Sequence, residues 1–154
     1  MYKLNAYGIT GNSFERIKSF LIGQKKFVSV ENESSEICDV VSGVPQGTVL
    51  GPLLFVIYIN DLLEGIRYVG LLYAVNTKIF KCILSKGDAQ SLQADIDTLE
   101  AWSKIWLMNF HPGRCHALTL GKFESIQLAY RYTICGKEIE HVASEKDLGF
   151  YIDK

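Results

Sequence analysis

The sequence predicts an α+β fold in which β-hairpins pack against long helices. Three observations carry that expectation. Apolar residues recur at helical spacing in two separate stretches, Asn12–Leu21 and Asp88–Met108. Short β-rich runs come in pairs around polar or glycine-bearing turns. A third stretch, Leu53-Leu54-Phe55-Val56-Ile57-Tyr58-Ile59, is apolar on every face. It reads as a helix that must be buried against other elements.

In the first helix Phe14, Ile17, Phe20 and Leu21 share a face. Asn12 is placed to cap it, Glu15 follows three residues later as in a capping box, and Gly23 is placed to end it. Phe27–Glu31 and Ile37–Ser42 then flank the polar turn Asn32-Glu33-Ser34-Ser35, a first hairpin. Pro45 and Gly47 interrupt the chain, and Pro52 suits the first turn of a helix running to about Leu63. Tyr68–Tyr73 and Lys78–Ile83 form a second hairpin around Ala74-Val75-Asn76-Thr77.

Asp88 suits the cap of the longest helix, which runs to about Met108. Leu92, Ile96, Leu99, Trp102 and Trp106 make its core stripe, with both tryptophans as core anchors rather than base-stacking platforms. After a turn at Asn109–Arg114 the chain reads as short strands. Tyr132–Cys135 and Glu138–Val142 flank Gly136-Lys137, and Leu148–Ile152 adds a last strand. The expected assembly is an antiparallel sheet of three or more strands, with the Pro52–Leu63 and Asp88–Met108 helices on one face.

The 154 residues suit a single domain over 1–154, since no repeat, low-complexity tract or linker divides them. With 48% hydrophobic and 21% charged residues the composition excludes intrinsic disorder. Sixteen Lys and Arg against 17 Asp and Glu give a net charge of −1. That excludes a chain-wide basic nucleic-acid binder and leaves room only for a local patch. No apolar run reaches the ~18 residues of a membrane span, so no membrane partner is expected. The first ten residues lack the apolar core of a signal peptide. Cys38, Cys82, Cys115 and Cys135 form no C-x-x-C pair and read as separate half-buried thiols in a reducing, intracellular compartment. His111, His116 and His141 lack metal-ligand spacing.

One loop stands out. Ser42-Gly43-Val44-Pro45-Gln46-Gly47 joins a strand to the apolar helix, and its two glycines and proline specify unusual backbone angles. From the residues alone it is either a ligand loop or an ordinary connector. The stretch Ser42-Gly43-Val44-Pro45-Gln46-Gly47-Thr48-Val49-Leu50-Gly51-Pro52-Leu53-Leu54-Phe55, followed by Tyr58-Ile59-Asn60-Asp61-Leu62, resembles the reverse transcriptase domain of non-LTR retrotransposons, close to the jockey-like and CR1-like group. The resemblance extends through Tyr7-Gly8-Ile9, Ile17-Lys18-Ser19-Phe20-Leu21, Thr77-Lys78, Leu99-Glu100-Ala101-Trp102 with Trp106, Asn109-Phe110 and Lys146-Asp147-Leu148-Gly149.

The resemblance implies part of the palm subdomain of a right-hand polymerase, without the fingers, the first palm motif or the thumb. Ser42, Gly43, Gln46 and Gly47 would contact nucleotide and template, joined by Tyr73 at the catalytic turn. The family is an RNA-directed DNA polymerase, a nucleotidyltransferase using two magnesium ions held by aspartates. Its turn reads aromatic-Ala-Asp-Asp, whereas this chain reads Tyr73-Ala74-Val75-Asn76. Val75 and Asn76 thus occupy metal-aspartate positions, no catalytic residue is intact, and no cofactor is expected. Arg114 also replaces a family lysine. Asp61 is expected to serve structure at its helix end.

The implied function is a degenerate retrotransposon polymerase fragment without catalysis. The alternative is a non-catalytic module, derived from a palm, that binds nucleic acid or protein. RNA template and DNA primer would bind weakly or not at all, with Lys25, Lys26, Lys78 and Lys81 as the candidate phosphate contacts. Self-association through uncovered apolar surface is a further expectation.

Overall fold

The computed structural model describes residues 1–41, 43–45, 47–73, 76–121 and 130–153. They fall into two units, Met1–Asp61 and Leu62–Lys154.

The first unit begins with α1 (Tyr2–Ala6) and α2 (Gly11–Leu21). The expected Asn12–Glu15 capping box does not form. The helix starts earlier, from an extended Thr10, with no side-chain cap. At the other end the Gln24 amide donates to the Phe20 carbonyl (2.9 Å), and Gly23 takes a φ of +71°. β1 (Lys25–Lys26), β2 (Ser29–Val30), β3 (Glu33–Ser34) and β4 (Cys38–Asp39) follow. β2 pairs with β3 and β1 with β4, so the first hairpin is real but its turn is tighter than expected. Glu31, at φ +54°, and Asn32 make the turn, while Glu33 and Ser34 already belong to the ladder. Every residue of these strands is exposed.

α3 (Leu50–Ile59) packs against α1. The expectation that all its faces are buried needs correction. Leu54 and Ile59 are buried, but Leu53 and Val56 are 55% and 54% exposed. Lys3 explains the α1 contact. Its buried ammonium bonds the Tyr58 carbonyl and pairs with Asp61, at the end of α3 where free carbonyls favour a cation. Asp61 is therefore engaged in structure.

The second unit contains β5 (Val69–Tyr73) and β6 (Asn76–Phe80), then α4 (Lys86–Ile105). α4 begins two residues before the expected Asp88. Ser85 is its N-cap, and Ser85 and Asp88 form a reciprocal capping box. After a 3₁₀ turn at Pro112–Arg114 come β7 (His116–Leu118), β8 (Thr133–Ile134), β9 (Lys137–Glu138), β10 (Glu140–Val142), β11 (Ser144–Asp147) and β12 (Phe150–Asp153). The β8–β9 turn is Cys135-Gly136, one residue before the expected Gly136-Lys137, and both residues take positive φ (51° and 72°). Leu148-Gly149 turns β11 into β12 in the same way, with φ of 47° and 91°. Positive φ at both central positions matches the twist of a two-residue hairpin.

The core of this unit is Ile83, Ala89, Tyr132, Ile134 and Ile139, with Leu92, Ile96 and Phe110 packed against it. Of the expected α4 stripe only Leu99 is buried; Trp102 and Trp106 are half-buried, their rings 6.2 Å apart. The tryptophans are not the core anchors expected of them. They lie at the last turns of α4, beyond the span that faces the buried cluster.

The sheet also differs from expectation. Among the described residues strands pair only two by two, and β7 with β10 is a parallel pair. A helix side chain stands where a third strand would lie. Gln93 of α4 accepts from the Thr133 N–H and donates to the Thr133 carbonyl, both at 2.9 Å. Glu100 accepts from the Cys135 N–H at 2.7 Å. These bonds satisfy backbone groups of β8 and its turn that a neighbouring strand would otherwise pair. Among the described residues no helix is long and apolar enough to cross a membrane.

Candidate functional site

Two segments carry the residues singled out by sequence, one in each unit. In the first unit the loop before α3 is shaped by glycine. Gly43 and Gly47 take φ of +95° and +77°, a region that side chains with a Cβ rarely enter. Thr48 closes the loop onto the helix: its hydroxyl donates to the Pro45 carbonyl (3.0 Å) and accepts from the Gly51 N–H (3.1 Å). Gly51 is buried at this crossing. A Cβ there would lie 3.0 Å from the Pro45 oxygen and 3.1 Å from the Thr48 oxygen. The result is a shallow, open, mostly apolar groove of about 280 Å³ between Val44, Pro45, Gly47, Pro52 and Phe55. Ser42 and Gln46 lie outside the described residues. The roles of Thr48 and Gly51 were missed by sequence reasoning, although Thr48 stands three residues before Gly51 at the spacing of a capping contact.

In the second unit the β5–β6 ladder brings Tyr73 and Asn76 directly opposite each other. Tyr73 is 62% exposed and Asn76 is exposed as well. Ala74 and Val75, between them, lie outside the described residues.

The lysines of this hairpin, expected as candidate phosphate contacts, each meet a carboxylate of the chain itself. Lys78 pairs with Asp147 of β11. Lys81, whose side chain is only 5% exposed, lies 3.5 Å from Asp88 and bonds the Tyr68 hydroxyl. Each ammonium is thus compensated within the chain. Lys25 and Lys26 of β1 are exposed.

The residues of the turn do not fit magnesium. Magnesium takes hard oxygen ligands, chiefly carboxylates. Val75 offers none and Asn76 only a neutral amide oxygen. Among the described residues no group of three or more His, Cys, Asp or Glu is arranged to hold a metal ion. The four thiols are free, and Cys38, Cys82 and Cys135 are exposed rather than half-buried. Cys115 is half-buried, and burial pushes its thiol above the ordinary range, with Cys135 adding to the effect.

Residues 1–150 match the family described as reverse transcriptase (RNA-dependent DNA polymerase). Among curated proteins the chain is similar to the RNA-directed DNA polymerase from mobile element jockey of Drosophila funebris, 30% identical over 152 residues. That match covers 92% of this chain and 16% of the relative. The jockey polymerase of Drosophila melanogaster is 28% identical over 153 residues, covering 90% of this chain and 16% of the relative. A probable RNA-directed DNA polymerase from transposon BS of Drosophila melanogaster is 31% identical over 112 residues, 62% of this chain and 12% of the relative. The chain therefore spans about 16% of the length of the jockey polymerases it matches. No solved structure is significantly similar to it.

Proposed function

The chain belongs to the reverse transcriptase (RNA-dependent DNA polymerase) family, and from that premise we propose that it is a palm-derived segment of a non-LTR retrotransposon polymerase that does not itself join nucleotides. The observation that carries the proposal is the sequence Val75-Asn76 where the family carries two aspartates, beside the Tyr73–Asn76 pair that ends the β5–β6 ladder. Nucleotidyl transfer by two metal ions needs carboxylates that clamp the attacking and leaving oxygens. A valine and an asparagine supply no negative charge there. In support, Gly43 and Gly47 take positive φ, a conformation compatible with close approach of a ligand to the backbone. In this reading Ser42, Gly43, Gln46, Gly47 and Tyr73 are inherited nucleotide- and template-contacting positions.

Affinity for an RNA template and DNA primer is weak in the same reading. Nucleic-acid affinity comes largely from cations that neutralise phosphates. The net charge is −1, and Lys78 and Lys81 face carboxylates of the chain itself. Primer extension on an RNA template, with magnesium and then manganese, tests the proposal. No incorporation is expected above a protein-free control. Template-dependent extension by the unmodified chain would overturn it.

A further inference from the structure

The β5–β6 hairpin has an unusual problem of register. Val69, Leu71 and Tyr73 point to one side, each more than half exposed, and share that face with Phe80 (47% exposed), Lys78 and Asn76 opposite them. Gly70, Leu72, Thr77 and Ile79, on the alternate positions, are half-buried. Apolar side chains therefore stand on both faces of the ladder. Burial selects a register strongly only when one face is apolar and the other polar, because a slip of one residue exchanges the faces. In this hairpin the hydrophobic pattern alone chooses weakly.

Something else must choose, and the open end of the ladder supplies it. The last pair is Val69 with Phe80. Tyr68 and Lys81 are the next residues outward on the two strands. The Lys81 ammonium sits 3.7 Å from the centre of the Tyr68 ring and bonds the Tyr68 hydroxyl. It also lies 3.5 Å from Asp88, whose carboxylate belongs to the capping box of α4. The Lys81 side chain is only 5% exposed, so its contact with the Tyr68 ring is shielded from water and gains strength, while Asp88 is 34% exposed. A slip of one residue would take this ammonium away from the Tyr68 ring.

We propose that Lys81 is a positioning residue that locks the register of the β5–β6 hairpin, and ties it to α4, through Tyr68 and Asp88. The lock acts from the end opposite the turn and decides which residues, Tyr73 and Asn76, face each other there. It stands whether or not the turn ever held a metal, so its failure and that of the proposed function are separable.

Hydrogen exchange and cross-strand nuclear Overhauser contacts in the isotope-labelled chain test it. In Lys81→Met, which keeps the stem and removes the charge, amides of β5 and β6 should exchange on the order of tenfold faster. The Tyr73–Asn76 and Val69–Phe80 contacts should weaken. Core amides of Leu92, Ile96 and Ile134 should not change. Tyr68→Phe, which keeps the ring and loses the hydroxyl, should show the same pattern more weakly and serves if Lys81→Met fails to fold. The Tyr68 phenol gives a spectroscopic signature. Lys81 holds it below its ordinary titration range, with help from Ser91, and Lys81→Met should move it back up. Unchanged hairpin amides and contacts, or hairpin and core amides accelerating by one common factor, would overturn the proposal.

Discussion

Two hairpins of the second unit solve the same problem differently. β8–β9 is fixed by burial and by its turn. Tyr132, Ile134 and Ile139 are buried, Cys135 and Gly136 adopt the positive φ of a tight turn, and Gln93 and Glu100 of α4 hold the backbone. β5–β6 has an exposed apolar face and depends on charged contacts, Lys78 with Asp147 and Lys81 with Tyr68 and Asp88. A hairpin specified by burial resists single changes on its surface and fails when its core is cut. A hairpin specified by charge pairs does the reverse.

The largest effect that would sharpen this contrast is Ile134→Ala. Removing a buried isoleucine leaves a cavity and should cost about 2–5 kcal/mol, read as a lower denaturant midpoint at constant slope. A loss under about 1 kcal/mol would mean that β8 is not held by its core. Gln93→Ala should follow. It strips partners from both backbone groups of Thr133, which water can reach, and should cost about 0.5–1.5 kcal/mol, with Thr133 exchange protection falling most. Unchanged Thr133 protection would show that water replaces the side chain without penalty.

Acid comes next. The Lys104 ammonium, helped by the Cys135 N–H, holds the Glu100 carboxyl below the usual carboxylate range. The Ser85 hydroxyl, helped by the Leu84 N–H, does the same for Asp88. A depressed folded-state value means that the stabilisation is complete above the unfolded carboxylate range, near pH ~4, and is lost as pH falls through the folded values. The Cys135 and Leu84 amide resonances should therefore shift below about pH 4 and stay flat between 5 and 7. Shifts centred above that window would contradict the assignment. The smallest effect should be Leu71→Ser, on the exposed face of β5. Stability should change by less than about 0.5 kcal/mol while binding of an apolar dye falls. A large loss of stability would place Leu71 in a core.

The contrast also explains what was readable beforehand. Two of the three longer helices follow from apolar periodicity, the third from an unbroken apolar run after Pro52, and the glycine-bearing turns from backbone chemistry, each to within a few residues. The β8–β9 hairpin was foreseen because its causes are local. What was missed is non-local and polar: Lys3 reaching Asp61, Gln93 standing in for a strand at Thr133, and Lys81 clasped between Tyr68 and Asp88. No periodicity announces a polar contact across 40 residues. The clasp did leave one trace, since Tyr68 and Lys81 are equally distant from the turn. Of the candidate site, the glycines of the loop were readable from backbone rules. The meaning of Val75 and Asn76 came only from the family resemblance.

Manganese, a paramagnetic stand-in for magnesium, reports on metal binding at the turn itself. Bound near the β5–β6 turn, it would broaden the Tyr73 and Asn76 amide resonances. No selective broadening is expected in the unmodified chain at millimolar manganese, and it should appear at both residues in the Val75→Asp, Asn76→Asp double variant. Selective broadening of Tyr73 and Asn76 in the unmodified chain would contradict the claim that its turn no longer holds the catalytic metals.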